Sequence, residues 1–195
     1  MHGLINRAIE RFVRDTYGRD TWHHVMRLAG LEFTAFEAML SYEEHTTLDV
    51  LAAAQHVLGR PVPDILEDIG TYLVSHPKTE ALRRLLRFGG SSFPEFLHSL
   101  DDLPARARLA VPDLELPQLE LREHAAGSFS LTCRARHPGF GHVIVGLLRA
   151  LADDYGAMVL LEHKGGRAGH EIITIKLLSI AHASGRRFDL GARAS

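Results

Sequence analysis

The chain has 195 residues, 46% of them hydrophobic, and a formal charge of −2. That composition builds a packed core, which excludes an intrinsically disordered chain, and it offers no concentrated basic field for a nucleic-acid partner. The single cysteine, Cys133, excludes an internal disulfide and a cysteine-rich zinc site, and favours a reducing compartment.

From Leu4 to Tyr17 apolar side chains recur at Leu4, Ile5, Ala8, Ile9, Phe12 and Val13, a helical period that Gly18 stops. Asp20 or Thr21 opens a second helix through Trp22, Val25, Met26 and Ala29, closed by Gly30. A third, short helix is predicted from Phe36 to Leu40, behind Thr34. Thr46 or Thr47 starts the next, with Leu48, Leu51, Ala52, Val57 and Leu58 inward, and Pro63 starts another that continues from Ile65 to Val74. Thr79 to Phe88 follows and is broken by Gly89-Gly90. Ser91 or Ser92 caps a helix from Phe93 to about Leu103, which Pro104 ends or kinks because it has no amide hydrogen for the preceding turn.

Beyond the extended, proline-stiffened stretch from Val111 to Pro117 the apolar period changes from helical to alternating. Leu119 to Glu123 and Phe129 to Cys133 read as strands around Ala126-Gly127. An apolar helix from about Phe140 to Tyr155 follows, and Met158 to Glu162 with Glu171 to Leu178 make a second hairpin. Helices followed by ββαββ give an α+β fold, a helical N-terminal part packed on a four-stranded antiparallel sheet with a covering helix. We expect one domain over 1–182, with a helical part at 1–62, an α+β part at 63–182 and a flexible tail at 183–195. No signal peptide opens the chain and no apolar run approaches the roughly 20 residues of a bilayer span, so a cytoplasmic protein without a membrane partner is expected.

Several short motifs also line up. Met1-His2-Gly3-Leu4-Ile5-Asn6, then Tyr17-Gly18 before Trp22, open the chain. Phe96-Leu97-His98-Ser99-Leu100-Asp101-Asp102-Leu103, then Val111-Pro112-Asp113 with Pro117, and Gly146-Leu147-Leu148 follow in order. Together, over roughly residues 1 to 178, they resemble the haem nitric oxide/oxygen-binding (H-NOX) domain, a family related to the sensor domain of soluble guanylate cyclase. The resemblance implies haem b held between the helical part and the sheet. In that family a histidine directly after the F-L-x-N-L-D-x-L segment binds the iron, and a Y-x-S-x-R motif holds the propionates. Here Pro104 stands at the histidine position, and its backbone nitrogen has no lone pair for iron.

Thr132-Cys133-Arg134-Ala135-Arg136 overlays the propionate motif, so the resemblance makes Thr132, Arg134 and Arg136 the expected anchors, with charge-assisted bonds from the arginines. It places Pro112 in the family's proline-bearing connection and Ile5, Ile9, Leu73, Val74 and Val143 on an apolar distal wall, which favours nitric oxide or CO over oxygen. His2 and His142, on the expected distal side, are alternative imidazoles for iron. So is His98, although it lies about 240° round its helix from Pro104.

The function implied is a stand-alone sensor that binds a diatomic gas, nitric oxide first, through haem and signals to a separate protein. By resemblance that partner is a histidine kinase or a cyclic-di-GMP enzyme. The chain stops soon after its last strand, so no catalytic output domain is expected, and no catalytic constellation marks it as an enzyme. The rival reading, resting on Pro104 and the altered anchor motif, is a haem-free relative acting as a protein-interaction or regulatory module.

Other residues carry a functional reading beside an ordinary structural one. His163 and His170 flank the last hairpin loop and form a weak zinc pair. Cys133 beside Arg134 invites a lowered thiol pKa, set against simple burial. Asp101-Asp102 and Asp153-Asp154 are helix neighbours whose side chains diverge, unsuited to a shared acid and base. Gly165-Gly166 needs no more than a hairpin turn.

Overall fold

The computed structural model describes residues 1–167 and 169–187. Helix α1 (Gly3–Tyr17) buries Ile9, Phe12 and Val13, and α2 (Arg19–Leu28) buries Trp22, Val25 and Met26. With α3 (Glu44–Leu58) and α4 (Val62–Ser75) they enclose one apolar core that also takes in Phe36, Val50 and Ile65.

The helix expected from Phe36 to Leu40 does not form; that stretch is bends and turns. Tertiary partners claim the backbone groups a helix would use. Glu10 Oε2 accepts from the Phe36 amide at 2.9 Å, and the Arg7 guanidinium donates to the Phe36 carbonyl at 3.1 Å. Trp22 Nε1 donates to the Thr34 carbonyl at 2.8 Å, and Tyr42 Oη accepts from the Glu37 amide at 2.7 Å. Phe36 packs edge-on against Phe33 and Tyr42. Aromatic burial outweighs local helix propensity here.

After a 3₁₀ turn at Pro77–Thr79 come α5 (Glu80–Arg87) and α6 (Phe93–His98). The helix expected to run to about Leu103 stops at His98. Ser99 Oγ donates to the Phe96 carbonyl at 2.7 Å, and a 3₁₀ turn at Leu100–Asp102 sinks Leu100 fully into the core. Pro104 then lies in the first turn of α7 (Leu103–Ala110). It begins a helix and does not end one, because first-turn amides have no intrahelical acceptor and their loss costs nothing there.

Strands β1 (Gln118–Ala125), β2 (Ser128–Arg134), β3 (Met158–Arg167) and β4 (His170–Ser179) form an antiparallel sheet in the order β1-β2-β4-β3. Helix α8 (Phe140–Tyr155) covers one face, laying Ile144, Leu147, Leu148 and Leu151 over Phe129, Leu131, Cys133, Ile173 and Ile175. Gly156, at φ 75°, caps α8 in the left-handed region that a side chain would strain. The chain after β4 returns to this cap. His182 and Ala183 amides donate to the Gly156 carbonyl, and Arg186 donates to the Asp154 carbonyl. The segment expected to fray from Ala183 is therefore tied back as far as Arg187, whose carbonyl accepts from Arg83; the rest of that tail, 188–195, lies outside the described residues.

Helix α4 joins the two halves. Ile65, Ile69 and Tyr72 face the helical core, whereas Val74 belongs to the core beneath the sheet. It crosses α8 at two glycines. A methyl built on Gly70 would stand 2.0 Å from the Val143 carbonyl oxygen, and one on Gly146 would stand 1.8 Å from that of Glu67. No helix among the described residues is long and apolar enough to cross a membrane.

Candidate functional site

Where the helical half meets the sheet, a cleft of about 450 Å³ opens, a volume typical of small-ligand sites. The start of α1 supplies Met1, His2 and Ile5, α7 supplies Arg108, and the connection into β1 supplies Asp113, Glu115 and Leu116. The end of β2 and the turn into α8 contribute Arg134, Arg136, His137 and Phe140.

Of the residues expected from the sequence, Ile5, Arg134 and Arg136 line this cleft, and so does His2. Arg136 is exposed and has no hydrogen bond or ion pair among the described residues. Arg134 donates to Glu120 at 3.1 Å. The bond and charge of Arg122, with the Arg134 charge added, hold the Glu120 carboxyl below its usual range. Two arginines beside Arg108 make one lip of the cleft suited to a carboxylate-bearing ligand.

The remaining expected residues are not among those lining it. Ile9 is 3% exposed within the helical core, Leu73 packs against that core, and Val74 is 2% exposed under the sheet. Val143 is half-buried on α8 with its carbonyl against Gly70, Thr132 is half-buried on β2, and Pro112 is exposed.

The imidazoles separate by tautomer. His2 Nδ1 accepts from the Leu4 amide at 3.2 Å and so caps α1, with the proton of the neutral ring on Nε2. His98 is an exposed side chain near Glu123, at 3.6 Å. His142 turns to Glu67 and stacks on His163, away from the cleft lining. The sequence reading missed His137. Its Nδ1 lies against the Glu44 carboxylate, off the line of a hydrogen bond, and its ring lines the cleft.

Haem requires an axial donor, and the donor set tests whether it fits. Pro104 is buried in the first turn of α7 and offers carbon only, so the family's mode of iron ligation does not fit this chain. The arginine lip alone suits the acidic edge of such a group.

Two further residues depart from what the sequence predicts. Cys133 is not an activated thiol: burial, with Glu171 adding to it, pushes its pKa up to about 12. His163 and His170 are not brought together. His163 faces α8, while His170, one residue before the inward Glu171, is exposed on the other side of β4.

A family model described as haem-NO-binding matches residues 2–163. The chain belongs to that family. Among curated relatives of this chain, soluble guanylate cyclase gcy-31 of Caenorhabditis elegans is 27% identical over 154 residues, covering 79% of this chain and 22% of the relative. Soluble guanylate cyclase 89Db of Drosophila melanogaster is 19% identical over 155 residues, covering 80% and 23%. The chain thus spans less than a quarter of the length of these relatives. Among solved structures, an H-NOX protein from K. algicida, crystallised as a point mutant in the Fe(II) unliganded state, superposes with a TM-score of 0.78. It is 18% identical and covers 91% of this chain and 96% of that one. An H-NOX protein from S. oneidensis in the Fe(II)NO state gives a TM-score of 0.75 at 17% identity, covering 92% and 100%. These structures establish the H-NOX fold, with its helices and four-stranded antiparallel sheet.

Proposed function

We propose that this haem-NO-binding family domain is a regulatory sensor that works without iron ligated at position 104. The observation that carries the reading is Pro104 itself, a residue with no donor atom, buried in the first turn of α7. The cleft remains the ligand seat, and Arg108, Arg134 and Arg136 select an anionic group there. A ligand bridging the start of α1 and the end of β2 contacts both halves, so it shifts their relative tilt if it binds the two arrangements unequally. The changed surface is read by a separate signalling protein in the cytoplasm, a histidine kinase or cyclic-di-GMP enzyme in the stand-alone form of this domain. A cyclase segment takes that role in relatives whose chains extend further.

A second reading keeps haem and gas sensing, nitric oxide first, and moves the iron to another imidazole. His137 favours it, because it lines the cleft with Nδ1 beside the Glu44 carboxylate, the kind of neighbour that orients a ligating imidazole.

Expression with haem supplied separates the two. The first reading expects no stoichiometric Soret band from the native chain. A five-coordinate spectrum with one haem per chain would overturn it, and loss of that band in His137→Ala would identify the ligand. Pro104→His is expected to create five-coordinate haem binding if the fold leaves the slot open, and a colourless variant would show that the cavity itself has closed.

A further inference from the structure

A second constellation lies outside the cleft, where the first turn of α8 meets the ends of β3 and β4. His142, His163 and Glu171 bring their ligand atoms within 4.8 Å of one another. Their side chains are 20%, 13% and 8% exposed, so the cluster is mostly screened from solvent. Each side chain arrives from a different element, so the cluster is a product of the tertiary fold.

The donor chemistry is specific. Glu171 stands on β4 in the inward row that continues as Ile173 and Ile175, where an unpaired charge would be costly. Its Oε2 accepts from the Gly139 and Gly141 amides at 3.1 and 3.0 Å, which fixes the carboxylate and presents Oε1 to His163 Nε2 at 3.1 Å. The His142 and His163 rings stack with centroids 4.0 Å apart. His142 Nδ1 faces Glu67 Oε1 at 3.4 Å, and Arg149 holds the same carboxylate at 3.0 Å. With its proton on Nδ1 toward Glu67, His142 keeps the Nε2 lone pair for a ligand. A carboxylate orienting a metal-bound imidazole in this way is the usual outer shell of such sites.

We propose that His142, His163 and Glu171 form a divalent transition-metal site, with zinc the ion their two imidazoles and one carboxylate suit best. Two imidazoles and a carboxylate leave a fourth, open position in a tetrahedral shell. Bonds of roughly 2.1 Å require ligand atoms no more than about 4.2 Å apart, so to close the shell the two stacked imidazoles swing apart until both ring planes meet at the ion. The proton now between His163 Nε2 and Glu171 moves to Nδ1 as the metal takes its place. The Gly165 amide, which donates to His163 Nδ1 at 3.2 Å, turns away at a point where the β3–β4 register already shifts. The bound ion pins the start of α8 to both strands of the second hairpin, and to α4 through Glu67, at the junction of the two halves.

The test uses the full, tag-free chain, stripped with a chelator and titrated with Zn(II) by calorimetry, with Co(II) as the spectroscopic probe. The expected result is one ion per chain, a higher melting temperature with zinc, and a Co(II) visible spectrum of four-coordinate intensity. His142→Ala and His163→Ala each weaken zinc binding by more than about 100-fold, and Glu67→Gln, one shell out, weakens it about 10-fold. Far-UV circular dichroism and urea midpoints of the metal-free variants establish that they fold, and the partly exposed His142 is the change least able to disturb packing. Absence of saturable zinc binding to the native chain would overturn the proposal. So would stoichiometric binding that survives both histidine substitutions, or that is lost instead on His137→Ala.

Discussion

Replacing Gly146 with alanine tests the helix crossing that joins the two halves. In an unconstrained helix the substitution stabilises by roughly 0.8–1.0 kcal/mol, because alanine loses less backbone entropy. In this structure the new methyl would stand 1.8 Å from the Glu67 carbonyl oxygen, with the Thr71 amide nitrogen at 3.0 Å. Both are backbone atoms of α4, so no rotamer relieves the contact and the helices must part by on the order of 1 Å. Overpacking of this kind costs about 1–3 kcal/mol, and a clash with main chain belongs at the upper end. The net expectation is destabilisation by about 2 kcal/mol, equivalent to a melting temperature lower by roughly 4–8 °C for a domain of this size. Urea unfolding followed by circular dichroism and thermal melts measure it. Gly70→Ala meets the Val143 carbonyl at 2.0 Å in the same crossing, so the double variant should cost less than the two single costs added. A Gly146→Ala protein as stable as the parent, or more so, would refute the close crossing.

Asp154 is 4% exposed and accepts from Arg83 Nε at 2.8 Å and Arg87 at 3.2 Å, with Arg83 itself 3% exposed. Asp154→Ala removes one of the two carboxylates that hold the buried Arg83 guanidinium, leaving it Glu80 and the Arg187 carbonyl, and should cost about 2–3 kcal/mol in urea unfolding; a loss under 1 kcal/mol would show that Glu80 alone suffices. Cys133, fully buried with its thiol pushed up to about 12, should resist iodoacetamide in the native protein at mildly alkaline pH and react once unfolded. Rapid native labelling read by mass spectrometry would contradict that burial. Burial raises the Asp15 carboxyl, but bonds from Lys78 and Tyr72 outweigh it and leave the pKa below its ordinary value. This stabilisation is complete above the unfolded pKa of about 3.9 and is lost as pH falls through the lower folded value, so Asp15→Asn should flatten the acid limb of the stability curve. Parallel acid limbs for the two proteins would rule it out.

Much of the fold was legible because it rests on local signals. The alternation of Phe129, Leu131 and Cys133 marks β2, and the apolar period through Ile144, Leu147, Leu148 and Leu151 marks α8. The failures share a cause. Phe36–Leu40 looks helical alone, yet Glu10 and Arg7 on α1, with the Tyr42 hydroxyl, hold its backbone in another shape. Pro104 reads as a terminator in one dimension, but Leu100 turns the chain in a 3₁₀ segment before it and makes it a start.

The candidate sites divide the same way. Arg134 and Arg136 were visible in a motif, whereas His137 and Glu44 are distant in sequence and carry no spacing signal. The last hairpin suggested His170 as partner to His163; the period of a strand puts Glu171 there instead, and only the start of α8 could add His142.

By itself the sequence determined the order of elements, the family, and the absence of a donor atom at Pro104, because each is a property of covalent structure or of short-range periodicity. The tertiary structure alone decided which imidazoles keep a free lone pair, which apolar side chains enter a core and which face a cleft, and how closely α4 and α8 approach. Those outcomes depend on partners brought together from distant parts of the chain, and on hydrogen bonds whose direction no spacing of residues encodes.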